Sequence, residues 1–259
     1  MKLLFPLVWL IKKSKVFSAV SMRLTQLTGK SKYKIHPKHL IKIEPPWYLA
    51  DINQQDVVLD IGCHNGQHTL KTAVKCKKII GLDYDQKQLF IAKNSAKDKN
   101  IKNIVFQRFN LEQKLKFKDQ SFDKILCLDV LEHIIKRKQL LAEIRRLLKP
   151  RGLAFIAIPN VNTSWKQLQK KVGLNYYSDP DHKIEYTLEE IKKVIQQAGF
   201  KIISLKPITY DSPWIGFIDL LGGLSLRLYA KIALFKKSKA EKNINESTGF
   251  RIIIKKSLV

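Results

Sequence analysis

From Asp56 onward, short runs of apolar residues alternate with stretches of helical period. VVLDI (57–61), KIIGLDY (78–84), NIVFQRF (103–109), FDKILCLDV (122–130) and LAFIAIP (153–159) read as five strands separated by helix-length segments. Apolar residues that run on rather than alternate belong to strands buried on both faces, which predicts a parallel sheet covered by helices. After the fourth strand, Leu131, Ile134, Ile135, Leu141, Ile144 and Leu148 fall at mostly helical spacing, and Lys149-Pro150-Arg151-Gly152 is expected to end that helix. TLEEIKKVIQQAGF (187–200) predicts a capped helix: Thr187 and Glu190 form a capping box, Leu188, Ile191, Val194, Ile195 and Ala198 line one face, and Gly199 suits the C′ position. KIISL (201–205) and FRIIIKK (250–256) read as two further strands, and no internal repeat or Gly/Ser linker interrupts the pattern.

Two stretches break the alternation. Residues 160–186 and 210–247 are longer than ordinary connections, which makes them candidate lids or binding loops. Within the second, Phe217, Leu220, Leu221, Leu224, Leu228, Ile232 and Phe235 recur at helical spacing beside Arg227, Lys231, Lys236 and Lys237, and Gly222-Gly223 is expected to divide the segment into two short helices. It reads either as a cap or dimer contact, or as a basic amphipathic surface. The run MKLLFPLVWLI, followed by Lys12, Lys13 and Lys15, is about half the length needed to span a bilayer. A lysine cluster follows where a signal peptide would carry small residues, so the expected location is cytoplasmic. Residues 1–50 are expected to form a basic amphipathic extension able to lie in the interface of an anionic membrane at its inner face.

The 259-residue chain carries a net charge of +26 and is 45% hydrophobic, as a globular protein should be. Such charge attracts anionic partners, whether nucleic acid, an acidic membrane surface or phosphorylated molecules. Lysine supplies most of it, however, and a compositional bias with no partner explains it equally well. Cys63, Cys76 and Cys127 are odd in number and lack CxxC spacing, which argues against a disulfide framework and a zinc site.

In DVVLDIGCHNGQHT (56–69), Gly62 and Gly66 bracket a tight turn between a strand and a helix, where backbone N–H groups can approach a ligand closely. The spacing is not the G-x-G-x-x-G of pyrophosphate-binding folds, which disfavours a dehydrogenase. Asp83 closes the second strand, where a carboxylate can accept hydrogen bonds from both hydroxyls of a ribose; a solvated helix cap is the alternative. VVLDIGCHNG, GLDYD, SFDKILCLDVLEHI and LLKPRGLAFIAIPN, in this order, resemble the class I S-adenosylmethionine-dependent methyltransferases, of the small-molecule type with LEH after the fourth strand. The likeness runs from about Asp56 to Leu205. It implies an α/β, Rossmann-like, doubly wound and mostly parallel seven-stranded sheet of order 3-2-1-4-5-7-6, with the last strand antiparallel and helices on both faces. The methyltransferase domain would occupy residues 51–259, with insertions at 160–186 and 210–247.

The same resemblance implies roles for individual residues. Asp60, Gly62, Cys63, His64 and Gly66 would surround the methionine and sulfonium end of S-adenosyl-L-methionine, Asp83 would hold the ribose and Tyr84 would lie against the adenine. Asn110 and Leu111 would face the adenine edge, and Leu128 and Asp129 would line the pocket floor. The family usually has glycine where His64 stands, so either the backbone there avoids a glycine-only conformation or cofactor affinity suffers. At Asn110 the family often has aspartate; an asparagine carbonyl accepts with less charge assistance.

Methyl transfer from a sulfonium depends mainly on alignment, to which a general base adds about 10²–10⁴-fold. His133 and His182 are the candidate bases. His133 alternatively orients Asp129 or a helix end, and His182 alternatively is an exposed loop histidine. The histidines look dispersed and the acidic residues form no ligand cluster, so no metal is expected. The Asn/Asp-Pro-Pro-aromatic signature of amino-methylating nucleic-acid enzymes is absent after the fourth strand, where Leu128-Asp129-Val130-Leu131 stands. EPPWY (44–48) precedes the first strand and reads as a turn, with Trp47 and Tyr48 beside the cofactor entrance. An oxygen or carbon of a small or lipid-linked acceptor is therefore the expected target. RNA is less favoured, since aromatic residues and arginines are not interleaved. A non-catalytic cofactor-binding protein of the same fold is a further alternative.

Overall fold

The computed structural model describes residues 4–41 and 45–257. Residues 1–3 of the apolar N-terminal run, and Glu44 of EPPWY, lie outside the described residues. In chain order the elements are α1 (Phe5–Lys13), α2 (Phe17–Leu27), β1 (Val57–Ile61), α3 (Gln67–Ala73), β2 (Lys78–Asp83), α4 (Gln86–Asp98), β3 (Ile104–Arg108) and β4 (Phe122–Leu128). There follow α5 (Arg137–Leu147), β5 (Leu148–Pro159), α6 (Ser164–Lys171), α7 (Leu188–Gln197), β6 (Phe200–Pro207), α8 (Ile215–Leu224), α9 (Leu226–Lys242) and β7 (Gly249–Lys256). The chain forms two compact units. One comprises Pro46–Pro159, Asp181–Lys206 and Phe250–Val259; the other comprises Met1–Pro45, Asn160–Pro180 and Pro207–Gly249.

The seven strands form one sheet of order β3-β2-β1-β4-β5-β7-β6. β1 pairs in parallel with β2 and β4, β2 with β3, and β4 with β5. The apolar runs explain this choice: Val58, Leu59, Ile61, Ile125, Leu126 and the stretch Ala154–Ile158 are buried whichever way their side chains point, so both faces of the central strands are covered. β7 runs antiparallel to β6, because the N–H of Ser257 donates to the carbonyl of Gly199 (3.0 Å) while the N–H of Ile208 donates to that of Gly249 (3.1 Å). α7 carries the expected capping box, with the Thr187 N–H donating to Glu190 Oε2 (2.8 Å) and the Glu190 N–H to Thr187 Oγ1 (3.2 Å), and it buries Ile191 and Ile195.

The helix after β4 is shorter than its pattern suggests. Leu131–His133 forms a 3-10 turn, and α5 begins only at Arg137. Both oxygens of the Glu112 carboxylate accept backbone N–H groups there, from Ile135 (2.7 Å) and Lys136 (2.9 Å), which makes a tertiary cap that a local reading misses. Lys149-Pro150-Arg151-Gly152 also belongs to β5 rather than merely ending the helix. Phe122 pairs with Leu148 and Lys124 with Leu153, so the four residues form a bulge, where a proline without an N–H is tolerated.

In the second unit, α8 runs through Gly222-Gly223 and breaks at Ser225, whose Oγ accepts from the Leu228 N–H (3.3 Å). The glycines serve close packing instead. A Cβ on Gly222 would lie 2.5 Å from Tyr229, and one on Gly223 would lie 2.8 Å from the Cβ of Leu24. Beneath them the buried Asp219 carboxylate accepts from Ser18 Oγ, from the Tyr229 hydroxyl (3.0 Å) and from His36 Nε2 (3.1 Å). Burial alone would raise the pKa of Asp219, but the His36 and Ser18 contacts outweigh it and hold the carboxyl below the usual carboxylate range.

The turn from β1 into α3 sets the chain path at the carboxyl end of the sheet. Gly62 (φ +73°) and Gly66 (φ +75°) take left-handed conformations, and each is also sterically required: a Cβ would come within 2.4 Å of Val130 at the first and 2.9 Å of Ala92 and Phe106 at the second. His64 lies between them at φ +47°, so the backbone does not avoid the conformation that favours glycine. Its side chain is exposed, so little packing offsets the strain. His64→Gly is expected to raise the stability of the free protein by about 1 kcal/mol in chemical denaturation, and His64→Ala to give no such gain; equal midpoints for His64→Gly and the parent would refute the strain.

Candidate functional site

The ends of β1, β2, β3 and β4 carry the candidate cofactor residues, because parallel pairing brings their carboxyl termini to one edge. Asp60 lies level with Gly81 and Leu126, and Ile61 with Leu82 and Cys127. Just beyond, the N–H groups of Gly62 (2.8 Å) and Cys63 (2.9 Å) both donate to the carbonyl of Leu82. The next residue is held by a side chain: the N–H of His64 donates to Asp83 Oδ2 at 2.7 Å, and Asp83 Oδ1 accepts from the N–H of Asp85 at 2.9 Å. Asp83 is buried, and each of its oxygens accepts one of these backbone bonds and has lone-pair capacity for a second donor, as a diol would require. Capping of α4 falls to Asp85, whose Oδ1 accepts from the N–H groups of Lys87 (2.8 Å) and Gln88 (3.3 Å).

Asp60 is buried and accepts from Thr69 Oγ1 at 2.6 Å. Burial pushes its carboxyl up to about 7, the nearby Asp83 adds to the rise, and the Thr69 hydroxyl opposes it. The Cys63 thiol is buried against Gly81, and burial followed by the charges of Asp60 and Asp83 raises its pKa, so it is a neutral packing group rather than a nucleophile.

The remaining candidates stand at the neighbouring strand ends. Tyr84 is 73% exposed, with its carbonyl accepting from Arg108 Nε (3.1 Å). Asn110 is exposed and its Oδ1 already accepts from the N–H of Glu112 (3.0 Å), while Leu111 is half-buried. Leu128 packs in part against the core around Tyr48 and Phe155. Asp129 is exposed at φ +55°, with its N–H donating to the carbonyl of Ala157 (3.0 Å). Trp47 and Tyr48 stand in a turn, as expected, closed by the Leu49 N–H donating to the carbonyl of Pro46 (2.9 Å); Tyr48 is also a fully buried core residue whose hydroxyl meets His68 Nδ1 at 2.7 Å, and Trp47 packs edge-on to Phe155.

The two histidines, 49 positions apart in sequence, meet. Their rings lie 4.7 Å apart at 78°. His182 is not an exposed loop residue: its side chain is 8% exposed and Nδ1 sits 2.7 Å from Glu185 Oε1. His133 is exposed at the end of the 3-10 turn. Two residues that the sequence reading passed over complete the cluster, Glu185 and Glu132, both buried. Burial raises the carboxyl of Glu132 to about 8, its own backbone N–H opposes the rise, and Asp129 and Glu185 add to it. The available signal was a second acidic residue, Glu132, three positions after Asp129 and beside His133 in the largely apolar stretch from Leu126 to Ile135, and a glutamate three positions after His182.

Asp60 yields a pH signature. Its folded pKa lies above the unfolded carboxyl value, so it costs nothing at pH below about 4 and destabilises the free protein increasingly as the pH rises to about 7. Asp60→Asn keeps an acceptor for Thr69, so it is expected to remove this slope and to be more stable than the parent at pH 8 by up to about 4 kcal/mol. Parallel stability curves for the two proteins from pH 4 to 8 would count against it.

Comparison with known proteins agrees with this geometry. A methyltransferase domain family model matches residues 52–202. An uncharacterized methyltransferase of Bacillus subtilis, YcgJ, is 30% identical over 171 residues, which cover 64% of this chain and 66% of the relative. A ubiquinone biosynthesis O-methyltransferase of Bartonella bacilliformis is 29% identical over 60% of this chain and 63% of its own length. The chain thus spans slightly under two thirds of the length of these two relatives. A protein of the same description from Coxiella burnetii is 28% identical over 76% of this chain and 86% of its own. The crystal structure of YcgJ superposes with a TM-score of 0.55, 23% identity and coverage of 81% of this chain and 95% of that one. The [4+2]-cyclase SpnF does so at 0.59 and 19%, covering 82% and 79%. With its match across more than half of its residues and the strand order 3-2-1-4-5-7-6, the chain belongs to the methyltransferase domain family and has the class I fold of S-adenosylmethionine-dependent methyltransferases.

Proposed function

We propose that this protein is an S-adenosyl-L-methionine-dependent methyltransferase that methylates an oxygen or carbon of a small or lipid-linked acceptor. The observation that carries the reading is the Asp83 carboxylate, buried at the end of β2 and bonded to the backbone of the glycine turn. An acceptor pair fixed in this way presents preorganised oxygens to a ribose diol, and ordering it costs nothing at the moment of binding. Asp60, Gly62, Cys63, His64 and Gly66 would border the methionine and sulfonium end, with Tyr84, Asn110 and Leu111 toward the adenine and Leu128 and Asp129 at the floor. When bound, the cofactor supplies an activated methyl group; the chain's own residues align it and the acceptor. His182, paired with Glu185, is the better-oriented of the two histidines for proton transfer from a hydroxyl acceptor.

A lipid-linked acceptor is supported by the unit built from α1, α2, α8 and α9. There Trp9, Leu10 (62% exposed), Leu221 and Leu224 (55% exposed) leave apolar surface in water, with Lys13 and Lys15 exposed nearby in the chain. No described helix is long and apolar enough to cross a membrane. Two of the relatives are named as ubiquinone biosynthesis O-methyltransferases, which makes a hydroxylated, membrane-dissolved ring a reasonable acceptor class.

Calorimetry with the cofactor and its demethylated product tests the first claim. Asp83→Ala is expected to weaken binding at least tenfold, about 1.4 kcal/mol, while Lys93→Ala on the exposed side of α4 leaves it unchanged. No heat with millimolar cofactor would sink the assignment. For the membrane claim, the full chain should sediment with anionic vesicles at low salt, and Trp9→Glu with Leu10→Glu should abolish this. Equal partition of the parent protein into zwitterionic and anionic vesicles, or none into either, would contradict it.

A further inference from the structure

Glu132 contains the one buried side-chain polar atom without a hydrogen-bond partner among the described residues, its Oε2. The residue is 1% exposed. A buried carboxyl oxygen left unmatched is costly enough to need an explanation, and a cation that takes the place of the carboxyl proton is one. The surroundings supply the means. Each of Glu132, His133 and His182 offers a donor atom, and the three donors lie within 4.8 Å of one another. Around a metal with bonds of about 2.0–2.2 Å, tetrahedral or octahedral geometry puts donors roughly 3–4 Å apart, so small side-chain adjustments bring all three into range.

We propose that Glu132, His133 and His182 form a binding site for a divalent first-row transition-metal ion, of the zinc, iron(II) or cobalt type, with at least one coordination position open. Three features beyond proximity support it. Glu185 Oε1 lies 2.7 Å from His182 Nδ1; in the Nδ1–H tautomer this bond leaves the Nε2 lone pair for an ion, which is the carboxylate–histidine arrangement that orients metal ligands. The two segments are also fastened together by backbone: the N–H of Lys183 donates to the carbonyl of Glu132 at 2.7 Å, and that of Ile184 to the same oxygen at 3.3 Å. The donors are therefore preorganised before any ion arrives. Finally, His182 is nearly buried and Glu132 fully so, whereas His133 is exposed, which leaves the cluster open on one side.

Two imidazoles and one carboxylate suit borderline ions better than magnesium or calcium, which prefer all-oxygen shells. Three protein ligands leave room for a water or a substrate oxygen, as in catalytic rather than structural sites. With an ion bound, His182 is a ligand and no longer a base; that the open position takes an acceptor hydroxyl, ionised by the metal with its proton released to solvent, rests on the function proposed above, whereas the ion site itself does not.

Untagged full-length chain, stripped with chelator and dialysed, is titrated with Co²⁺ and Zn²⁺. One equivalent is expected to bind, with cobalt giving visible d–d absorption that zinc then bleaches. Glu132→Gln and His182→Ala should each weaken binding at least 100-fold, and Glu185→Gln by about 10–100-fold. Far-ultraviolet circular dichroism and calorimetry with S-adenosyl-L-methionine on the same samples check that each variant is folded, and they report on the cofactor reading independently of the ion. The proposal is overturned if the parent takes up no ion, if folded Glu132→Gln binds cobalt as tightly as the parent, or if Mg²⁺ displaces cobalt at equal concentration.

Discussion

A buried carboxylate has to find donors, and at Asp83 it finds them in the backbone it is meant to position. The N–H of His64 reaches across from the β1–α3 turn and that of Asp85 from the start of α4, so one side chain joins two loops at the carboxyl edge of the sheet. The turn then has little freedom. Gly62 is pressed against Val130, and Gly66 against Ala92 and Phe106; both take left-handed angles that leave only hydrogen where a side chain would clash. His64 is carried through the same path because its neighbours define it. The strain at that residue is a consequence of the carboxylate clamp and the two glycines, not an independent feature.

The central sheet was legible because its strands are buried on both faces, and continuous apolar runs need no partner information to be recognised. The capping box at Thr187 was legible for a related reason, since both hydrogen bonds are local. The misreadings share the opposite property. Helical spacing from Leu131 to Leu148 cannot reveal that Glu112, some twenty residues upstream, captures the N–H groups of Ile135 and Lys136. Gly222-Gly223 looked like a helix break because glycine is a poor helix former, yet close approach of Leu24 and Tyr229 outweighs a propensity cost of about 1 kcal/mol per glycine.

The candidate cofactor residues were readable as positions, since strand ends follow from strand limits. Their individual states were not. That Asp60 lies deep enough to hold its proton near neutrality depends on the packing above it, and that Asn110 already accepts from Glu112 depends on a two-residue turn. The histidine cluster was least visible of all. His133 and His182 belong to segments separated by two helices and a strand, and the bonds from Lys183 and Ile184 to the carbonyl of Glu132 bring them into register.

The fold does not set the reaction, since a [4+2]-cyclase superposes on this chain as well as YcgJ does. Chemistry on such a scaffold is set by the groups facing the space beyond the cofactor. In this chain the distinguishing groups at the β4 end are Glu132, His133 and the His182–Glu185 pair, of which only the LEH residues accompany the strand itself. The pair enters from the segment just before α7, where the chain returns from the other unit to the sheet. A segment in that position can vary without disturbing the strands, whereas Asp83 cannot change without loosening the turn it holds. On the function proposed above, the cofactor residues are fixed by the sheet, while the His182–Glu185 pair is carried on a connection.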